Sequence, residues 1–201
     1  MVILLWVLKI ILFLGWLYLL SVFHRGNLPF FTFLTGSIGS FFLMVNFIPC
    51  IKPYFIYLFT RVFQYVGDVT QLFTCYPKYG MIFIDYKDTV ISMYIDMECS
   101  GLIEMMVFFA LLLFFPVYRK TEKIRLMILG IFLLNLFNYI RIFTIICLIH
   151  VKGMQIYGFA HSIIGRLLFY ALVIALYFYV FTKKQLENQR VGKFSFENQP
   201  D

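Results

Sequence analysis

The chain has 201 residues, of which 62% are apolar, 21% aromatic and only 13% charged, against roughly 45–50% apolar and about 25% charged in soluble domains. That balance excludes an ordinary water-soluble globule and indicates an integral membrane protein, one domain without internal repeats, whose first partner is the lipid bilayer. The formal charge of +7 calls for no nucleic acid, because basic loops against an anionic lipid surface account for it.

In chain order, apolar runs near 1–23, 28–50, 102–118, 126–149 and 162–181 each approach or reach the length that crosses the hydrocarbon, roughly 17–25 residues. The first has no basic residue ahead of Lys9 and no small-x-small cleavage site after it, so it is expected to remain as an anchor. "TFLTGSIGS" (32–40) spaces Thr32, Gly36 and Ser40 by four and reads as helix packing in lipid. A further segment, 54–72, carries Arg61, Gln64, Gly67 and Asp68; it suits either a crossing or an amphipathic helix at the interface, and a crossing is expected. The expected fold is therefore an all-α integral membrane bundle of about six transmembrane helices, with residues 1–181 as one multi-pass domain and 182–201 as a polar, mobile cytoplasmic tail.

Residues 73–98 interrupt the helices. "YGMIFIDYKDTVISMYIDM" (79–97) holds two β-branched or aromatic stretches, 81–86 and 89–95, around "YKD". The second alternates Val90, Ser92, Tyr94 and Asp96 against Ile91, Met93, Ile95 and Met97, so a short extracytoplasmic β-hairpin is expected. It either caps the bundle or offers an edge to an extended substrate strand. Asp68, Asp85, Asp88, Asp96 and Glu98 make this side acidic and read as a solvated surface rather than a metal site.

Lys and Arg in the connections set the orientation. Six crossings with both ends inside put Lys52, Arg119, Lys120, Lys123, Arg125, Lys183, Lys184, Arg190 and Lys193 in the cytoplasm. Arg25, Lys78, Lys87 and Lys152 then lie outside, nine basic residues against four. The expected location is the plasma or inner membrane.

This topology gathers three reactive side chains at the outer end. Cys99 precedes a helix start, with Ser100 or Cys99 itself as cap, where the positive helix end favours a thiolate. Arg141 lies about 15 residues up the next helix, roughly 22 Å from its inner end. Asn135, Asn138 and Arg141, spaced by three, form a polar stripe expected to point inward, or else a structural stripe with Arg141 snorkelling outward. His161 opens the last helix, with Gly165 one turn below allowing close approach. Cys99 has two competing readings, a disulfide to Cys75 and a zinc site with Cys75 and His161. The second lacks the usual close ligand pairs, and no metal or cofactor is expected. Cys50 and Cys147 read as small buried hydrophobes. Glu104 and Arg166, at similar depth, read as a structural ion pair.

The three motifs "CSG" (99–101), "NYIR" (138–141) and "HSIIG" (161–165), in this order and at these depths, resemble the exosortase and archaeosortase family over roughly residues 80–181. Residues before 80 add no match. The resemblance implies a membrane cysteine protease or transpeptidase acting on exported proteins that carry a C-terminal transmembrane sorting signal. It implies Cys99 as nucleophile, with Arg141 and His161 as the family arginine and histidine and Ser100, Gly101, Asn138 and Gly165 completing the motifs.

The chemistry asks for the same residue types independently. A thiol that cleaves an amide needs a proton carrier, for which His161 is suited, and positive charge where the oxyanion forms, for which Arg141 is suited. Two rival classes stand beside this one. A transporter would use Arg141, Glu104, Arg166 and His161 as a relay. A non-catalytic assembly partner of secretion or surface-polymer machinery would need no thiol.

Overall fold

The structure, a computed structural model, describes residues 2–87 and 89–189. Helices α1 (Val2–Arg25), α2 (Pro29–Val45) and α3 (Ile48–Thr70) precede three strands, β1 (Phe73–Tyr76), β2 (Met81–Tyr86) and β3 (Thr89–Tyr94). A one-turn helix α4 (Met97–Ser100) leads into α5 (Leu102–Phe114) and α6 (Lys120–Lys152). The last helical run comprises α7 (Met154–Phe159), a π-helical turn (Ala160–Ile164), α8 (Gly165–Tyr177), a second π-helical turn (Phe178–Lys183) and α9 (Lys184–Gln189).

The fold is that of a helical membrane protein, but with fewer clear spans than expected. Among the described residues, three stretches are long and apolar enough to cross a membrane, Trp6–Arg25, Lys120–Lys152 and Met154–Leu186. A fourth arises if α2 and α3, bent by 75° at their junction, count as one span, and α5 is apolar but short. The segment expected as a separate crossing near 54–72 is part of α3. Its buried residues Ile56, Phe59, Thr60, Phe63 and Gly67 recur with helical period and face β1 and α6, leaving Tyr54, Tyr57, Leu58, Val62 and Tyr65 exposed. Pro49 in the first turn of α3 suits a new helix start after the break at Asn46 and Phe47.

Two basic residues change ends relative to the expected topology. Lys52 Nζ lies 2.6 Å from Asp96 Oδ1, so Lys52 belongs to the sheet end of the molecule and not to the opposite face. At the other extreme, Phe23 packs against Phe31 and Phe33 meets Phe115 edge-on, while Lys9 Nζ donates to Asn46 Oδ1 at 2.9 Å. Helix α1 thus runs toward the basic loop 119–125, and Arg25 lies near that end. A hydropathy reading that inserts a crossing at 54–72 inverts every connection before it, which is why both residues were misplaced together.

The sheet exceeds the expected hairpin by one strand. Its order is β1-β2-β3, antiparallel throughout, with Cys75 opposite Ile82 and Ile84 opposite Ile91. Successive side chains alternate faces: Phe73, Cys75, Ile82, Ile84, Ile91 and Met93 are buried, whereas Val90, Ser92 and Tyr94 are exposed. Helix α6, about 50 Å long at 1.5 Å per residue, is longer than a bilayer core requires. Its second half supplies Ile142, Ile145, Ile146 and Ile149 to the core beneath the sheet and α3.

A second cluster, Phe108, Leu112, Leu134, Leu176 and Val180, closes the basic end, where Gly130 makes room for the Phe108 ring. The helix continues through Lys184–Gln189, so the tail expected to be mobile from 182 is helical at its start. Residues 190–201, including Arg190 and Lys193, and Asp88 lie outside the described residues. Cys50, expected to be buried, is exposed.

Candidate active site

Cys99, Arg141 and His161, separated by 42 and 20 positions in the chain, line one cavity of about 240 Å³ together with Ile103, Glu104, Arg166 and Tyr170. Cys99 arrives from the sheet. The β3 alternation ends at Ile95, Asp96 then accepts the Met97 N–H at 2.7 Å through its carboxylate, and one helical turn follows. The Lys52 ammonium holds the Asp96 carboxyl below its ordinary range, aided by that N–H, so α3 and the cap of the Cys99 turn are tied together.

Gly101 ends this turn in the left-handed region at φ +74°. A residue with a Cβ is strained there, and the added atom would also meet the Asn138 amide at 3.3 Å. The cap of α5 is therefore Gly101, not Cys99 or Ser100 as expected. Fully buried Ser100 instead places its hydroxyl between Met97 O, to which it donates at 2.8 Å, and the Leu102 N–H at 3.4 Å. Cys99 consequently sits in the short turn before the long helix, and the dipole of α5 acts on it from across Gly101.

The polar stripe of α6 points inward. Asn135 is half-buried and donates to Ile131 O at 2.8 Å, with Met105 Sδ 3.0 Å away. Asn138 is 0% exposed and donates from Nδ2 to Cys99 O at 2.8 Å. Arg141 is 4% exposed, its Cζ 5.4 Å from the centre of the Phe169 ring. That is cation–π distance, and a ring face partly replaces the hydration lost on burial.

His161 lies in the π-helical turn, its ring stacked on Tyr157 with an interplanar angle of 4°. Nε2 is 3.6 Å from Cys99 Sγ, within hydrogen-bonding distance for sulfur. Extra residues in such turns re-aim the side chains after them. One turn on, Gly165 admits Ile145 Cδ1, which an added Cβ would meet at 2.6 Å. The expectation at this glycine was the approach of another backbone; the group admitted is instead an α6 side chain. Among the described residues, buried side-chain polar atoms without a hydrogen-bond partner include Asn138 Oδ1, Arg141 Nε and His161 Nδ1.

One competing reading falls and one expectation is corrected. Cys75 forms no disulfide with Cys99: it is a buried thiol on β1 donating to Thr60 O at 3.3 Å, and burial pushes its pKa up to about 12. Glu104 and Arg166 face the same cavity without pairing, since the ion pair found among the described residues joins Lys52 to Asp96. Phe169 and Tyr170 were missed by sequence reasoning. The signal was present, because Phe169 continues the steps of four from His161 through Gly165, and Tyr170 follows Arg166 by the same step. Comparison with protein-family models, with curated proteins and with solved structures gave no match.

Proposed function

We propose that the chain is a membrane-embedded cysteine peptidase or transpeptidase of exosortase type, which cleaves the C-terminal sorting segment of exported proteins through a thioester. The observation that carries this reading is the 3.6 Å approach of Cys99 Sγ to His161 Nε2, across 62 residues, beside the buried Arg141. In the first step His161 takes the thiol proton and Sγ attacks the carbonyl carbon. The tetrahedral oxyanion forms within reach of the Arg141 guanidinium, which acts electrostatically. Collapse breaks the C–N bond as the imidazolium returns its proton to the departing amine, leaving the acyl group on sulfur. Water or an acceptor amine then attacks the thioester and releases the thiol.

The proposed orientation places the basic loop 119–125 in the cytoplasm and the sheet outside. With α3 at the interface, the crossings reduce to α1, α2, α5, α6 and the run from α7 to α9, and the start of α1 lies outside. Arg25 and Lys52 exchange sides under this arrangement and Arg61, no longer within a crossing, joins the outer side, so the bias becomes nine basic residues against five.

The test compares C termini of membrane-anchored exported proteins in cells carrying the wild type or Cys99→Ala. The expected result is a set of proteins that keep an intact C-terminal anchor only in the variant. Identical C termini in both cells reject the peptidase and favour the assembly-partner class, which needs no thiol.

A further inference from the structure

Resting on that reading, we infer that the site is entered sideways from the bilayer, through a polar slot between α5 and α8 that receives an unwound stretch of membrane-embedded polypeptide. Helices α5 and α8 both pack on α6. Toward the basic end they meet each other, with Phe108 against Tyr177 at 5.7 Å and Phe115 against Phe181 at 5.1 Å. Toward the sheet end the space between them is the cavity that holds Cys99, Arg141 and His161, with Ile103 and Glu104 on the α5 side and Arg166 and Tyr170 on the α8 side.

The α8 wall of this slot faces outward. Arg166 is exposed, Tyr170 is 51% exposed, and their neighbour Leu167 is 65% exposed on the same apolar span. Arg166 and Tyr170 lie five and nine residues beyond His161, about 8 and 14 Å further along the helix axis. The slot therefore extends from the nucleophile down a surface whose surroundings are lipid.

Its lining matches the chemistry of that route. A transmembrane helix hides its amides in its own hydrogen bonds, and a scissile carbonyl reaches a thiol only where the helix is unwound. Unwound backbone at membrane depth is tolerated only against protein or water, since each unpaired group costs several kcal/mol in hydrocarbon. Glu104 offers acceptor oxygens, Arg166 up to five N–H donors, and Tyr170 a hydroxyl that does both. Ionisable groups at this depth also draw water into the slot, which hydrolysis of a thioester consumes.

The experiment reads reagent access and needs no turnover, so it is decided separately from the cleavage test. The unsubstituted chain in proteoliposomes is alkylated with two maleimides, one bearing a sulfonate and one a long alkyl chain, and modification is followed site by site by mass spectrometry. Each rate is divided by that at a reference thiol, Thr74→Cys on the exposed sheet face for the sulfonate and Leu167→Cys for the alkyl reagent. The expected relative rate at Cys99 is roughly tenfold or more higher for the alkyl reagent, because a fixed charge is excluded from hydrocarbon. In a second arm, Tyr170→Trp narrows the slot and slows the alkyl reagent while leaving the sulfonate rate unchanged. A sulfonate rate equal to or above the alkyl rate, or no reaction of Cys99 with either, overturns lateral entry, as does an alkyl rate indifferent to Tyr170→Trp.

Discussion

Asn138 offers the sharpest test of how the site is held. Its amide donates to Cys99 O at 2.8 Å, its side chain is fully buried, and it lies against the glycine that turns the chain from α4 into α5. Asn138→Leu keeps most of the volume and removes the donor. The Cys99 carbonyl then loses this partner, at a cost of about 1–3 kcal/mol for a buried group. For a chain of this size such a loss corresponds to a fall in melting temperature of roughly 2–12 °C. Thermal unfolding in detergent, followed by tryptophan fluorescence, measures it. Because the carbonyl anchors the residue that carries the thiol, the same variant should also slow alkylation of Cys99, whereas Asn135→Leu, one turn earlier on the helix, should lower the melting temperature without that second effect. A variant with wild-type melting and wild-type Cys99 alkylation would show that Asn138 anchors nothing.

Four further expectations bear on chemistry and local stability. Cys99→Ala should abolish processing and His161→Ala should reduce it by about 10²–10⁴-fold, while the double variant should be no worse than Cys99→Ala alone, since members of one catalytic unit are non-additive; additive losses in a reconstituted cleavage assay would separate the two residues. Arg141→Lys keeps the charge but loses the planar fork, and is expected to lower turnover by about 10²-fold, the lower range for losing one oxyanion donor; unchanged turnover would remove Arg141 from the chemistry. With its pKa at about 12, Cys75 should alkylate at pH 8 about 10³-fold more slowly than a thiol of pKa near 8.5, and a rate matching exposed Cys50 would refute its burial. Asp96 has a folded-state pKa below its unfolded value of about 3.9; its tie to Lys52 is therefore intact at neutral pH and lost as pH falls below about 4 through the folded pKa, and Lys52→Met should erase that step from an acid titration of stability.

The local elements were far more legible than their arrangement across the membrane. Alternation from Val90 to Ile95 has a period of two wherever one face is buried, so β3 and the inward set Ile91, Met93 and Ile95 followed from pattern alone. β1 escaped because four residues, "FTCY", are too few to show a period. Helix α3 was legible as a helix but not in its placement: a stripe of phenylalanines opposite tyrosines is apolar on average, so composition alone suits either a crossing or an amphipathic helix at the interface. The inward direction of Asn138 and Arg141 was legible because a charge on a long apolar helix has few affordable directions. The failure of Glu104 and Arg166 to pair was not, since depth along two helices says nothing about the gap between them.

That gap and the unpaired atoms around it bear on whether the polar stripe serves packing or chemistry. A stripe kept for packing should satisfy its own members, because a buried polar group without a partner costs more than its apolar replacement. On α2, Ser40 follows this rule by donating to Ser37 O at 3.1 Å, whereas the buried Ser37 hydroxyl does not. The stripe of α6 follows it only at Asn135. Asn135 is satisfied by the backbone of its own helix, while Asn138 Oδ1, Arg141 Nε and, facing them from the last helix, His161 Nδ1 are buried without partners. Retaining an arginine there, supported by an aromatic face rather than a carboxylate, leaves its charge uncommitted although Glu104 lines the same cavity. A guanidinium paired in the resting state would have to break that pair before it could stabilise an oxyanion. An unpaired one is already set for the charge that develops, and preorganisation of this kind is the largest single contribution a protein makes to such a step. On this physical ground the arrangement around Cys99 favours a site built for a transient negative charge over a structural seam.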